Sequence, residues 1–142
     1  MLSVIEARLQ PLVPEHLNRV ETALELAAVM DRPPQVGVAA WVVPLAERPE
    51  GTKRLVGPAL QKVDLLFGVV IAVRSVNDPR GTQGNDQLDA ARQAVREQLF
   101  GWQPSDSLLP ILMAPSDLIK MEKSTIWWID RYTTAIQRRA YR

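Results

Sequence analysis

The alternation of apolar and polar positions is most regular between Gln61 and Arg74. Val63, Leu65, Phe67, Val69, Ile71 and Val73 fall at every second position, which places them on one face of a β-strand. The opposite face reads Lys62, Asp64, Leu66, Gly68, Val70, Ala72 and Arg74, polar at its ends and apolar in its middle. This pattern predicts a central strand, covered along the whole of one face and along part of the other. The turn formers Asn77-Asp78-Pro79-Arg80-Gly81 follow. The period then changes: Leu88, Ala91, Val95, Leu99 and Trp102 recur at helical spacing and predict a principal helix over about 86–100. Asn85 or Asp86 is the expected N-cap, and Gly101 the expected C-terminal stop.

The other segments are arranged around this pair. Ser3 and Glu6 have the spacing of a capping box for a short helix ending before Pro11. Asn18–Thr22 reads as a short edge strand. Ala23–Met30 reads as a second short helix, with Leu24, Ala27 and Ala28 turned inward, and Asp31-Arg32-Pro33-Pro34 stops it. Val36–Leu45 is expected to be a strand buried on much of both faces: Val36, Val38, Ala40 and Val42 share one side, Trp41 and Val43 the other. Ala46–Pro58 carries Glu47, Arg48, Glu50, Lys53 and Arg54 and reads as a mobile charged loop. Ile111–Ala114 and Leu118–Lys123 are expected as two short extended pieces on either side of Pro115-Ser116-Asp117. The second piece forms a hairpin, turning at Lys123-Ser124, with a last strand over Thr125–Arg138. The predicted fold class is α+β: a mainly antiparallel sheet of about four to five strands, one principal helix and short N-terminal helices, in a single domain spanning 1–142.

Composition narrows the function. The chain has 142 residues, 46% apolar and 23% charged, with 17 basic and 16 acidic side chains. A formal charge of +1 lacks the basic excess of a nucleic-acid binder. The charge is unevenly spread. Residues 1–51 hold four basic and seven acidic side chains, whereas residues 123–142 hold five basic and one acidic. Cysteine is absent, which removes disulfides, thiol chemistry and the usual zinc clusters. Met1–Arg8 has neither a basic lead nor an apolar stretch of signal length, and the apolar run Leu65–Val73 is too short for a membrane-spanning helix. A soluble intracellular protein is expected.

Candidate chemistry is sparse. His16 is the single histidine, so no His-based triad or zinc site is expected. Metal-dependent nucleases often set an acidic residue two places before a lysine. Gly51, Leu60, Leu118 and Met121 occupy that place before Lys53, Lys62, Lys120 and Lys123. Gly81-Thr82-Gln83-Gly84 has too few glycines for a dinucleotide fingerprint and no P-loop lysine, so it reads as a strand-to-helix turn. Catalytic residues, cofactors and metals are therefore all expected to be absent. Trp127-Trp128 is the most unusual pair. Adjacent on a strand, the two indoles must point to opposite faces. One is expected in a core, the other as a cap on the opposite sheet face or as an interface anchor.

Several of these pieces together resemble a known family. A strand ending in Val73-Arg74 leads to the helix Asp89-Ala90-Ala91-Arg92-Gln93-Ala94-Val95-Arg96. Then come Gly101-Trp102-x-Pro104 and a last strand containing Trp128-x-Asp130-x-Tyr132. This order is similar to that of the tail terminator proteins of long-tailed bacteriophages and prophages, also called minor tail proteins. The resemblance implies a non-enzymatic virion protein that caps the head-proximal end of the tail tube as a hexameric ring. It further implies partners in the tail tube protein and a head–tail connector, no membrane or sequence-specific nucleic acid, and a place in the virion tail after assembly in the bacterial host cytoplasm. Trp127, Trp128, Arg131, Arg138, Arg139, Lys53 and Arg54 are the expected interface residues. Two other functions are compatible with the sequence: another head–tail joining or tail tube protein, and a small nucleic-acid-processing enzyme using Asp64, Asp78 and Glu122.

Overall fold

The computed structural model describes residues 1–31, 34, 37–51, 56–75, 82–122 and 124–140. In chain order these form α1 (Leu2–Leu9), a 3-10 turn (Gln10–Leu12), β1 (Arg19–Thr22), α2 (Leu26–Met30), β2 (Gly37–Pro49), β3 (Leu60–Arg74), α3 (Thr82–Leu99), β4 (Leu112–Glu122) and β5 (Thr125–Arg139). The five strands make one sheet in the order β1-β2-β3-β5-β4. Three of its pairings are antiparallel, and β1 runs parallel to β2. The fold is α+β, as the sequence predicts, with β3 at the centre. β3 pairs with β5 along its whole length, from Leu60 opposite Arg139 to Arg74 opposite Thr125.

The alternation on β3 divides the sheet into two faces. Phe67, Val69, Ile71 and Val73 join Val38, Ala40 and Val42 of β2 and Ile126 and Tyr132 of β5 beneath the helices. Leu88, Ala91, Val95 and Leu99 of α3 and Ile5 and Leu9 of α1 close that core. On the opposite face Ala39, Trp41, Val43, Val70, Ala72, Trp127 and Ile129 cluster beneath Val29 of α2. A helix pair covers the first face, and one short helix covers part of the second.

Parallel pairing of β1 depends on Asn18 and Gly37. The Asn18 backbone N–H donates to the Val38 carbonyl at 2.8 Å, and its side-chain oxygen accepts from the Val38 N–H at 2.8 Å. Gly37 has φ +87°, and a Cβ there would lie 2.1 Å from that oxygen. Only glycine fits, because both the backbone sign and the space forbid a side chain.

The structure corrects several boundaries. Met1, not Ser3, caps α1, so Ser3 and Glu6 lie inside the helix and form no capping box. In α2 the inward residue is Val29, whereas Leu24 is 86% exposed and Ala27 and Ala28 face solvent. Five residues do not complete enough turns for a helical period to declare its inner side. α3 begins at Thr82, so Asn85 and Asp86 lie within it, and Thr82–Gly84 is helix rather than turn. Gly84 is buried there. Gly101, at φ +82°, does close the helix: the Trp102 N–H returns to the Leu99 carbonyl at 3.1 Å. The loop expected over 46–58 is shorter, because Ala46–Pro49 continues β2 opposite Val63–Leu66. Positions 52–55 of that loop lie outside the described residues, as do Val36 and the turn 76–81. Finally, the two extended pieces around Pro115 are one strand, β4, with register shifts between Met113 and Ser116 and between Leu118 and Lys120.

Candidate functional site

Trp128, Asp130 and Tyr132 alternate along β5 and therefore share the face beneath α3. Arg92 of α3 reaches down to them. Its Nε donates to both Asp130 carboxylate oxygens at 3.1 Å, and its Nη2 donates to Oδ1 at 3.0 Å. The Trp128 indole N–H donates to the same Oδ1 at 3.0 Å. The guanidinium also lies 4.3 Å from the centre of the Trp128 ring, within cation–π range. Tyr132 stacks on Phe67 with ring centres 5.7 Å apart. Burial pushes the Tyr132 phenol well above its ordinary range and the Asp130 carboxylate adds to that, against the opposing pull of Arg96 and Arg92.

The arrangement fixes a helix to a strand. The Asp130 side chain is only 4% exposed and its oxygens are engaged by Arg92 and Trp128, so it is badly placed to exchange protons with a substrate. Gly101-Trp102-x-Pro104 plays a comparable part at the other end of α3. Arg8 of α1 lies 4.8 Å over the Trp102 ring, and its Nε donates to the Gln98 carbonyl at 3.0 Å. Trp102 also accepts the Ile111 N–H at 2.9 Å, which leads the chain into β4. Both motifs hold α3 in place.

The expected interface residues fall in different environments. Trp127 is 2% exposed and stacks on Trp41 at 5.9 Å, inside the second core. Trp128 is half-buried beneath α3. Both indoles thus find partners within the chain, on opposite faces as adjacent strand residues must. Arg131 is half-exposed and pairs with Asp117 of β4. Arg138 and Arg139 are exposed at the end of β5. Lys53 and Arg54 lie outside the described residues. The carboxylates of the enzyme alternative do not converge. Asp64 is level with Ala135 and Glu122 with Thr125, so roughly 30 Å of β5 separates them; Asp78 lies outside the described residues. Among the described residues no three His, Cys, Asp or Glu side chains come together as metal ligands.

Two surfaces have no clear forecast in the sequence. β4 is an edge strand on which Leu112, Met113, Leu118 and Met121 are exposed. Its two register shifts and Pro115 interrupt the alternation that would have marked these positions as surface. At the opposite edge, a groove of about 440 Å³ runs between β1 and α2, with Glu21, Glu25 and Asp31 around Leu24, Val29 and Trp41. The seven acidic residues of the N-terminal third were its only sequence signal.

A family model described as phage tail terminator protein matches residues 2–142. Among solved structures, the fold is similar to a chain in one titled "Virion of native gene transfer agent (GTA) particle". The TM-score is 0.60 at 14% identity, over 97% of this chain and 95% of that one. No curated protein matches the sequence.

Proposed function

The chain belongs to the phage tail terminator protein family, a family of structural tail proteins, and from that premise we propose that it caps the head-proximal end of a tail tube as a closed ring. The ring ends tube polymerisation and presents the surface to which the head attaches. Its partners are the tail tube protein on one side and a head–tail connector on the other. Assembly takes place in the cytoplasm of the bacterial host, and the protein works without catalysis, cofactor or membrane contact. The observation that carries this reading is the family match along essentially the whole chain.

The distribution of surfaces supports it. A ring brings one surface of a subunit against a different surface of its neighbour. This subunit has unlike surfaces to offer: an apolar edge at β4, an acidic groove at β1 and an exposed basic end on β5. Native mass from light scattering, measured alone and with purified tail tube protein, tests the reading. The expected result is a closed oligomer of six copies that shortens tubes when added during their growth. A chain that stays monomeric with tube protein present, and leaves tube length unchanged, would refute it.

A further inference from the structure

We infer that the groove between β1 and α2 is the socket for the C-terminal end of β5 of a second copy of this chain, with Arg138 and Arg139 entering between Glu21, Glu25 and Asp31. This rests on the ring reading and adds the pair of surfaces that meet at its seam.

The groove has an apolar floor and an acidic rim. Leu24, almost fully exposed, lines it with Val29, Trp41 and the three carboxylates, and Arg19 lies 5.4 Å from the centre of the Trp41 ring. Glu21 lies 3.8 Å from Arg19, but Glu25 and Asp31 enter no ion pair among the described residues. Arg138 and Arg139 are likewise exposed and unpaired among those residues. Arginine suits such a groove on two counts. Its planar fork takes carboxylates in pairs of hydrogen bonds, and its aliphatic stem covers apolar surface of the kind Leu24 offers.

The two surfaces cannot meet within one chain. Glu21 is level in the sheet with Trp41, Val70 and Ile129. Arg138 stands nine residues beyond Ile129 on β5, or roughly 30 Å farther along the strand direction. Contact therefore needs a second copy. Because a groove meets a strand end, the contact is between unlike surfaces, the kind that propagates from copy to copy and forms a ring when the rotation between copies closes. Like-charge repulsion also disfavours the two like-surface pairings, groove on groove and strand end on strand end.

Charge reversal with rescue, together with cross-linking, tests the docking. Arg138→Glu with Arg139→Glu is expected to weaken self-association on the order of tenfold or more at low salt, and Glu25→Arg with Asp31→Arg to do the same. Combining all four changes should restore assembly, a recovery that mere misfolding would not give. The chain has no cysteine, so Ala28→Cys in the groove lining with Ala140→Cys beside Arg139 provides the only two thiols and keeps both arginines. A bis-maleimide should convert that variant into a covalent ladder of oligomers. If wild type forms a closed oligomer but both reversal variants assemble equally well and no ladder appears, the docking is wrong and the ring stands. Wild type that remains monomeric with and without tube protein would overturn the ring and the docking together.

Discussion

Removing the Asp130 carboxylate should be among the most damaging single changes outside the apolar core. It accepts three N–H contacts from Arg92 and one from Trp128. Asp130→Ala leaves the guanidinium over the Trp128 ring without its counter-charge and the indole N–H without an acceptor. Truncating one partner of a fully buried pair costs about 3–5 kcal/mol. Arg92 is 21% exposed, so it can turn partly to water, which lowers that to about 2–3 kcal/mol. The orphaned indole N–H adds about 1 kcal/mol. The expected loss is about 3–4 kcal/mol, or a Tm lower by roughly 10 °C for a chain of this size. Asp130→Asn keeps an acceptor for Trp128 and loses only the charge, so it should cost about 1–2 kcal/mol. Arg92→Met with Asp130→Leu removes both charges and should recover much of the loss, because a matched apolar pair carries no unpaid desolvation. Urea unfolding followed by tryptophan fluorescence at neutral pH reads all three, with m-values compared to confirm that the folded state is unchanged. If Asp130→Ala lies within about 0.5 kcal/mol of wild type, or a cycle with Arg92 shows no coupling, the contact is a surface ion pair and does not hold α3 down.

Trp127→Ala should cost about 3–5 kcal/mol in the same assay, since it empties the second core beside Trp41; an exposed interface tryptophan would cost far less. Gly37→Ala should lower stability by more than the roughly 1 kcal/mol of an ordinary positive-φ glycine replacement, because its Cβ also displaces the Asn18 oxygen; an unchanged urea midpoint would show that β1 is pinned some other way. Burial holds the Tyr132 phenol above the ordinary tyrosine value of 10.0 in the folded chain, so the unfolded chain releases this proton first. Its contribution is therefore full below about pH 10 and is lost as pH rises beyond it. Tyr132→Phe should flatten the alkaline fall in stability, and an identical fall in both proteins would refute that assignment. Purified wild type should show no metal-dependent hydrolysis of nucleic acid; turnover abolished by Asp64→Ala or Glu122→Ala would restore the enzyme reading.

The parts of this fold legible in sequence are those whose packing imposes a period. β3 is covered on one face along its length and β5 is sandwiched at its centre, so each alternates visibly. α3 lies on the sheet along one stripe, which marks its end to within a residue and its start about one turn late. The errors fall where periodicity is short or interrupted. α2 is too brief to show a face. Two bulges and Pro115 divide β4 into what look like two pieces. At Glu47-Arg48-Pro49 the strand continues with exposed side chains on both faces, so no apolar alternation marks it. The Trp128-x-Asp130-x-Tyr132 motif was visible, but its partner was not. Arg92 lies 38 residues away, and no local rule links an arginine on a helix to an aspartate on a later strand.

The edges of the sheet restrict how copies of this chain can join. An open edge invites a neighbouring strand, and proteins that avoid this use short edges, bulges and proline. β1 offers only Arg19–Thr22. β4 is longer, but its register shifts and Pro115 interrupt the row of backbone groups on which another strand would pair. Strand addition is therefore disfavoured at both sides. In the proposed ring, contacts between subunits would fall instead to side chains, for which charged and apolar groups outside the core are available. The groove beside α2 is acidic, the end of β5 is basic, and β4 presents methionine and leucine. Methionine packs adaptably against irregular partners, which suits a surface that meets a different protein, whereas paired charges reject wrong registers between identical copies. Seam and partner surface can then lie on different elements of one small sheet, so a change in one need not disturb the other.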